Sequence, residues 1–191
     1  MNTALLLVDL QNDFFPGGAL PAPDGDAIVA PVNQLIEVFQ QGELPIFATR
    51  DWHPRNHCSF EARGGPWPPH CIQGTPGADF NPRVNLPANA TVISKAQSPE
   101  RDAYSGFDGT DLAWRLEALD VSDVVVGGLV TEICVKNTVV DALKRRFGVT
   151  VVREAVSGVD VHPGDSKKAL EAMEEKGARI VSIDEAVLQL A

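Results

Sequence analysis

Four short apolar runs, three closing on a residue that can do chemistry and the fourth leading straight into such residues, constrain this chain more than any other feature. ALLLVD (Ala4–Asp9) has no polar alternation and reads as a strand buried on both faces. LPIFATRD (Leu44–Asp51), TVISK (Thr91–Lys95) and DVVVGG (Asp123–Gly128) read as the second, third and fourth strands. Helical spacing lies between and after them. Asp26 to Gln41 sets Ile28, Val32, Leu35, Ile36 and Phe39 on one side, and Pro31 is tolerated because it falls in a first turn. Asp111–Leu119 and Glu132–Arg146 are further helices. Thr150–Arg153, a helix from Ser166 to Lys176, RIVSI (Arg179–Ile183) and a final short helix complete the series. Alternation of this kind predicts an α/β protein, a parallel sheet with helices on both faces. A chain of 191 residues suits one domain, 1–191, with a single sizeable core.

Such a sheet binds ligands beyond the carboxyl ends of its strands. There the residues converge: Asp9, with Gln11 and Asp13 after it; Asp51 and His53; Lys95; and GLVTEICV (Gly128–Val135). Cys134 falls on a strand–turn–helix connection, where a helix N-terminus and a nearby cation lower a thiol's pKa and populate the thiolate. Lys95 is the candidate cation and Asp9 the candidate proton acceptor. Each has a plainer alternative: a small buried cysteine, a turn-capping carboxylate, a solvated strand-end lysine.

The segment Arg50–Cys71 is the second concentration. Its 22 residues hold three of the four histidines, two of the three cysteines and two of the three tryptophans. It opens an irregular stretch, Asp51 to Ala90, of a length uncommon in compact domains unless functional. Asp51, His53 and His70 supply a carboxylate and two imidazoles, a set that suits zinc, iron or manganese and leaves positions open for water or substrate. His57 is a fourth ligand or a group behind the ligands. Cys58 and Cys71 keep a closed structural zinc site in play, although only His53 and His57 have the usual paired spacing. Phe14, Trp67 and Tyr104 stand in loops on the same edge, either as walls for a flat ring or as loop anchors. His162 has no such company and reads as a surface residue.

Charge and composition remove other classes. The net charge of −10 argues against nucleic acid or an anionic membrane as partner. No run reaches the ~20 apolar residues of a membrane span. MNTALLLVDLQNDFF lacks a basic start and breaks at Asp9, unlike a signal peptide, and three cysteines fit a reducing cytoplasm.

LLLVDLQNDFFPGGALP, ATRDWHPRNHCSF, GGPWPPHCIQGTPGADF, DAYSGFDGTDL and VVVGGLVTEICVKNTVVDAL together resemble the nicotinamidase/pyrazinamidase branch of the isochorismatase-like cysteine hydrolases. The resemblance runs over nearly the whole chain in order. It implies a three-layer sandwich around a six-stranded parallel sheet, and hydrolysis of nicotinamide, with pyrazinamide as an analogue, through a cysteine thioester in NAD salvage. It assigns Asp9, Lys95 and Cys134 to a catalytic triad, and Asp51, His53 and His70 to one divalent metal, zinc before iron or manganese. His57 binds the ion in some members only. Phe14, Leu20, Trp67 and Tyr104 match ring-pocket positions. A cis peptide bond before Val130 is implied, aiming the Val130 and Cys134 N–H groups at an oxyanion. The chain departs from many relatives at Val130, Ile133 and Ala103, so the pocket can differ in shape. A monomer and a homo-oligomer are both compatible with the sequence. A sister amidohydrolase for another carboxamide or an N-carbamoyl compound typically lacks the histidine set, and an isochorismatase-type ether hydrolase has no need of Cys134. A metal-stapled binding module is the alternative outside enzymology.

Overall fold

A computed structural model describes residues 2–190. Six parallel strands form one sheet: β1 (Thr3–Val8), β2 (Ile46–Asp51), β3 (Thr91–Lys95), β4 (Asp123–Leu129), β5 (Gly148–Ser157) and β6 (Arg179–Val181), in the order β3-β2-β1-β4-β5-β6. Their apolar sequences follow from burial on both faces. In β1, Leu5 and Leu7 join the core on one side and Ala4, Leu6 and Val8 the core on the other. β4 divides in the same way, Val125 against Val124 and Val126.

Among the described residues, five helices cover the sheet: α1 (Val29–Gln41), α2 (Leu112–Ala118), α3 (Lys136–Lys144), α4 (Asp165–Glu175) and α5 (Ile183–Leu190). α1 buries Val32, Leu35, Ile36 and Phe39, the stripe that its spacing predicts, in the same core as Ala186 of α5. Leu112 and Leu116 of α2, Val139 and Ala142 of α3, and Met173 of α4 fill the opposite core. The architecture is the expected three-layer sandwich. Among the described residues, no helix is long and apolar enough to cross a membrane.

Three elements differ from the expected ones: β6 stops at Val181, and Ile183 opens α5, where the sequence predicts a strand through Ile183. The fifth strand is ten residues long, Gly148–Ser157, where the sequence predicts only Thr150–Arg153; its continuation from Glu154 is extended because pairing with β4 resumes beyond a bulge. The predicted helix Glu132–Arg146 is split. A wide π-helical turn, Thr131–Val135, precedes α3 and carries Cys134. Between β2 and β3, over residues 52–90, the chain holds only short 3-10 turns and isolated bridges, so this stretch is the irregular insertion that its Pro and Gly content predicts.

The sheet order creates the site. The chain moves outward from β1 to β2 and β3, then returns to add β4 on the other side of β1. Beyond the carboxyl ends of β1 and β4 the crossovers diverge and leave a crevice, the topological switch point of an open sheet.

Candidate active site

Asp9 follows β1 directly, in the left-handed region at φ 50, a conformation that Asp adopts more readily than most residues. Its backbone N–H donates to Thr49 O at 3.2 Å, and its carboxylate turns inward with no exposure. Lys95 closes β3 two strands away and is 1% exposed. Its Nζ lies 2.9 Å from Asp9 Oδ2, donates to Ala103 O at 3.2 Å and to Cys134 Sγ at 3.6 Å, and forms a short ion pair with Asp51. One ammonium therefore touches all three of the other groups. The ion pair at Asp9 Oδ2 is out of line for a hydrogen bond, which leaves that buried oxygen without a directed donor.

The electrostatics follow from burial. Desolvation raises the Asp9 carboxyl above its usual range against the pull of Lys95. Burial alone would lower the Lys95 ammonium, but Asp51, Asp9 and Cys134 around it carry it well above the usual lysine value. Burial pushes the Cys134 thiol well up; Lys95 opposes this, and Asp9 and Asp51 reinforce it. Here the structure corrects the expectation of a lowered thiol pKa. The turn is buried and two carboxylates surround one ammonium, so the resting group is a neutral thiol, and the thiolate must form by transfer to a neighbour.

The second cluster stands beside the first. Asp51, His53 and His70 each direct one donor atom to a common point, all within 4.8 Å of one another. Burial, with His70 and His57 nearby, lowers the His53 imidazole to about 3. A neutral imidazole is the form that binds metal, and each ring has its other nitrogen anchored: His53 Nδ1 on His70 O at 3.0 Å, His70 Nδ1 on Pro68 O at 2.8 Å. The donor set fits a divalent ion. His57 lies outside this group; its ring nitrogens meet Ser59 Oγ at 2.7 Å and Arg101 O at 3.1 Å, and its ring packs 4.3 Å from that of His53. Cys58 and Cys71 are free, and Cys71 is sealed in the core, so no thiolate clip forms from them.

Between the clusters lies a cavity lined by Phe14, Leu20, Trp67, Tyr104, Ile133 and Cys134, with Val130, Asp51, His53 and His70 also on its walls. Trp67 Nε1 donates to Tyr104 Oη at 3.1 Å, which joins the two loops at its rim. The Leu129–Val130 peptide bond is cis, as the resemblance implies. Three contributors had no assigned role in the sequence reading. Gln11 donates to Asp51 O at 2.7 Å and to Ala78 O at 2.9 Å, and accepts from Asp51 N at 2.7 Å. Asp13 accepts from Cys71 N at 2.7 Å, beside His70. Asp102 lines the cavity. Both Gln11, two residues past Asp9, and Asp102 stand in runs that carry the family resemblance.

The isochorismatase domain family matches residues 3–185. The chain belongs to the isochorismatase family. Within it, this isochorismatase-family protein is 38% identical over 201 residues to the nicotinamidase of Escherichia coli (strain K12), covering 94% of each chain. It is similar to the pyrazinamidase of Pyrococcus horikoshii solved in complex with zinc, at 52% identity and a TM-score of 0.91, covering 95% of this chain and 99% of that one. It is also similar to PnC1 from L. infantum solved in complex with nicotinate, at 31% identity and a TM-score of 0.86, covering 95% and 93%.

Proposed function

We propose that this isochorismatase-family protein hydrolyses nicotinamide to nicotinate and ammonia by nucleophilic catalysis from Cys134. The observation that carries the reading is the single ammonium of Lys95 set against Asp9 and against Cys134, which lines the cavity. The named activities of the relatives, nicotinamidase and pyrazinamidase, support the substrate class.

The ring lies between Phe14, Leu20, Trp67 and Tyr104, with its carboxamide toward Cys134. Asp51, His53 and His70 would hold a divalent ion, zinc on the likeness to the zinc-bound pyrazinamidase, which supplies a Lewis acid for a ring nitrogen. Asp9 takes the thiol proton on Oδ2, the oxygen that is ion-paired with Lys95 but held by no hydrogen bond. Its raised pKa makes it a better base than a surface aspartate, and Lys95 holds the sulfur's negative charge. Sulfur adds to the carboxamide carbon, and the Val130 and Cys134 N–H groups receive the oxyanion, a contribution of about 3 kcal/mol per donor. Asp9 returns its proton to the amide nitrogen, which leaves as ammonia. Water then adds to the thioester with Asp9 as base, releasing nicotinate and the thiol.

Ammonia release from nicotinamide by wild type, by Cys134→Ala and after chelation tests this. Wild-type turnover with a loss of at least about 10³-fold in Cys134→Ala is expected. Full activity in that variant would overturn the covalent route, and full activity after exhaustive chelation would overturn the role of the ion. Pyrazinamide is expected to be hydrolysed, an N-carbamoyl amino acid not.

A further inference from the structure

We propose that Thr49 is a positioning residue for proton transfer between Cys134 and Asp9. The inference rests on the amidase reading above. Thr49 is a hydroxyl in the apolar β2, fully buried, and faces Asp9 on the neighbouring strand. Its Oγ1 donates to Asp9 Oδ1 at 2.7 Å and accepts the Asp9 backbone N–H at 3.3 Å. A carboxylate's terminal torsion is broad and two-fold, so without a directed partner its oxygens exchange places freely. Thr49 commits Oδ1 and leaves Oδ2, the oxygen with no directed donor, as the one that can take a proton. In the transfer, the S–H bond breaks and an O–H bond forms at Oδ2. Thr49 keeps its own proton on Oγ1 and goes on donating it to Oδ1.

A Cβ at Gly106 would stand 2.8 Å from Thr49 Cγ2, so the loop at Gly106 passes close to the methyl and only glycine leaves it room. The Gly106 N–H is tied to Thr138 Oγ1 at 2.9 Å, on α3, which follows the turn that bears Cys134. Thr49 thus stands between the base that follows β1 and a loop tied to α3, the helix after the nucleophile's turn.

Two substitutions separate the hydroxyl from the shape. Thr49→Val keeps the branched volume and deletes the donor; Thr49→Ser keeps the donor and deletes the methyl. With nicotinamide as substrate, Thr49→Val is expected to lose about 10- to 100-fold in kcat with KM within about twofold, the size of one hydrogen bond to a charged group. Thr49→Ser is expected to stay within about threefold of wild type in both constants. A packing role reverses the order, because Val fills the site and Ser leaves a hole; Val near wild type with Ser impaired would overturn the inference. Should Thr49→Val not fold, Thr49→Ala against Thr49→Ser isolates the same hydroxyl, and equal kcat in that pair would also overturn it. A wild type that releases no ammonia fails the amidase reading itself, and the inference falls with it.

Discussion

Removing the Lys95 ammonium leaves Asp9 and Asp51 in a buried space with no cation between them. Charges in such a place cost several kcal/mol each unless paired. In chelated protein at neutral pH, Lys95→Ala is therefore expected to lower unfolding free energy by about 3–5 kcal/mol. Cys134→Ala, which removes only a sulfur from the same site, is expected to cost about 1 kcal/mol. Urea unfolding of the pair checks this; equal losses would mean that Lys95 carries no more than its packing. Asp9, Asp51 and Lys95 stand out in the sequence because each closes an apolar run, and Cys134 because it falls on the strand–turn–helix connection after one. Their protonation was not legible there, since the thiol's pKa depends on how much water and how many carboxylates surround it.

At the scale of elements, strand ends are precise only when something continues their hydrogen bonding. The Gln11 side chain does this for β2, taking both backbone groups of Asp51 as a neighbouring strand would. Gln11→Ala leaves buried backbone groups unpaired, at a cost of about 2–4 kcal/mol, and loosens a metal-ligand candidate. Zinc titration of the folded variant is expected to show affinity about 10- to 100-fold below wild type; unchanged affinity would mean that Asp51 is held by β3 and Lys95 alone. The crossing of β1 and β4 has no such tolerance. Gly128 has φ +128, and a Cβ there would stand 2.1 Å from Val8 O and 2.5 Å from Val8 N. β1 is flanked by β2 and β4 and cannot yield, so Gly128→Ala is expected to lose more than about 4 kcal/mol. A thermal midpoint within a few degrees of wild type would show that the strands do separate. The stripe on α1 and the bounds of β3 were readable from periodicity. The full length of β5 and the turn at Thr131–Val135 were not, because a bulge and a change in helical pitch leave no spacing signal.

For the molecule as a whole, the two cores are built chiefly from the strands and helices, and His70 stands only at the edge of one of them, its ring 5.6 Å from that of Phe14. Chelation is therefore expected to abolish nicotinamide hydrolysis while far-UV circular dichroism keeps its native form, with a lowered melting temperature as bound ion is lost. Unfolding on chelation would instead favour a metal-stapled module. By itself, the sequence determined the α/β class, the parallel sheet and the chemistry at the strand ends, because burial on two faces and local propensity are written along the chain. Only the tertiary structure decided which ends meet. The order β3-β2-β1-β4 sets Lys95 between Asp9 and Asp51, folds Arg50–Cys71 back beside them, and dries the space until the thiol stays neutral. Those outcomes depend on distances through space and on excluded water, which no spacing along a chain records.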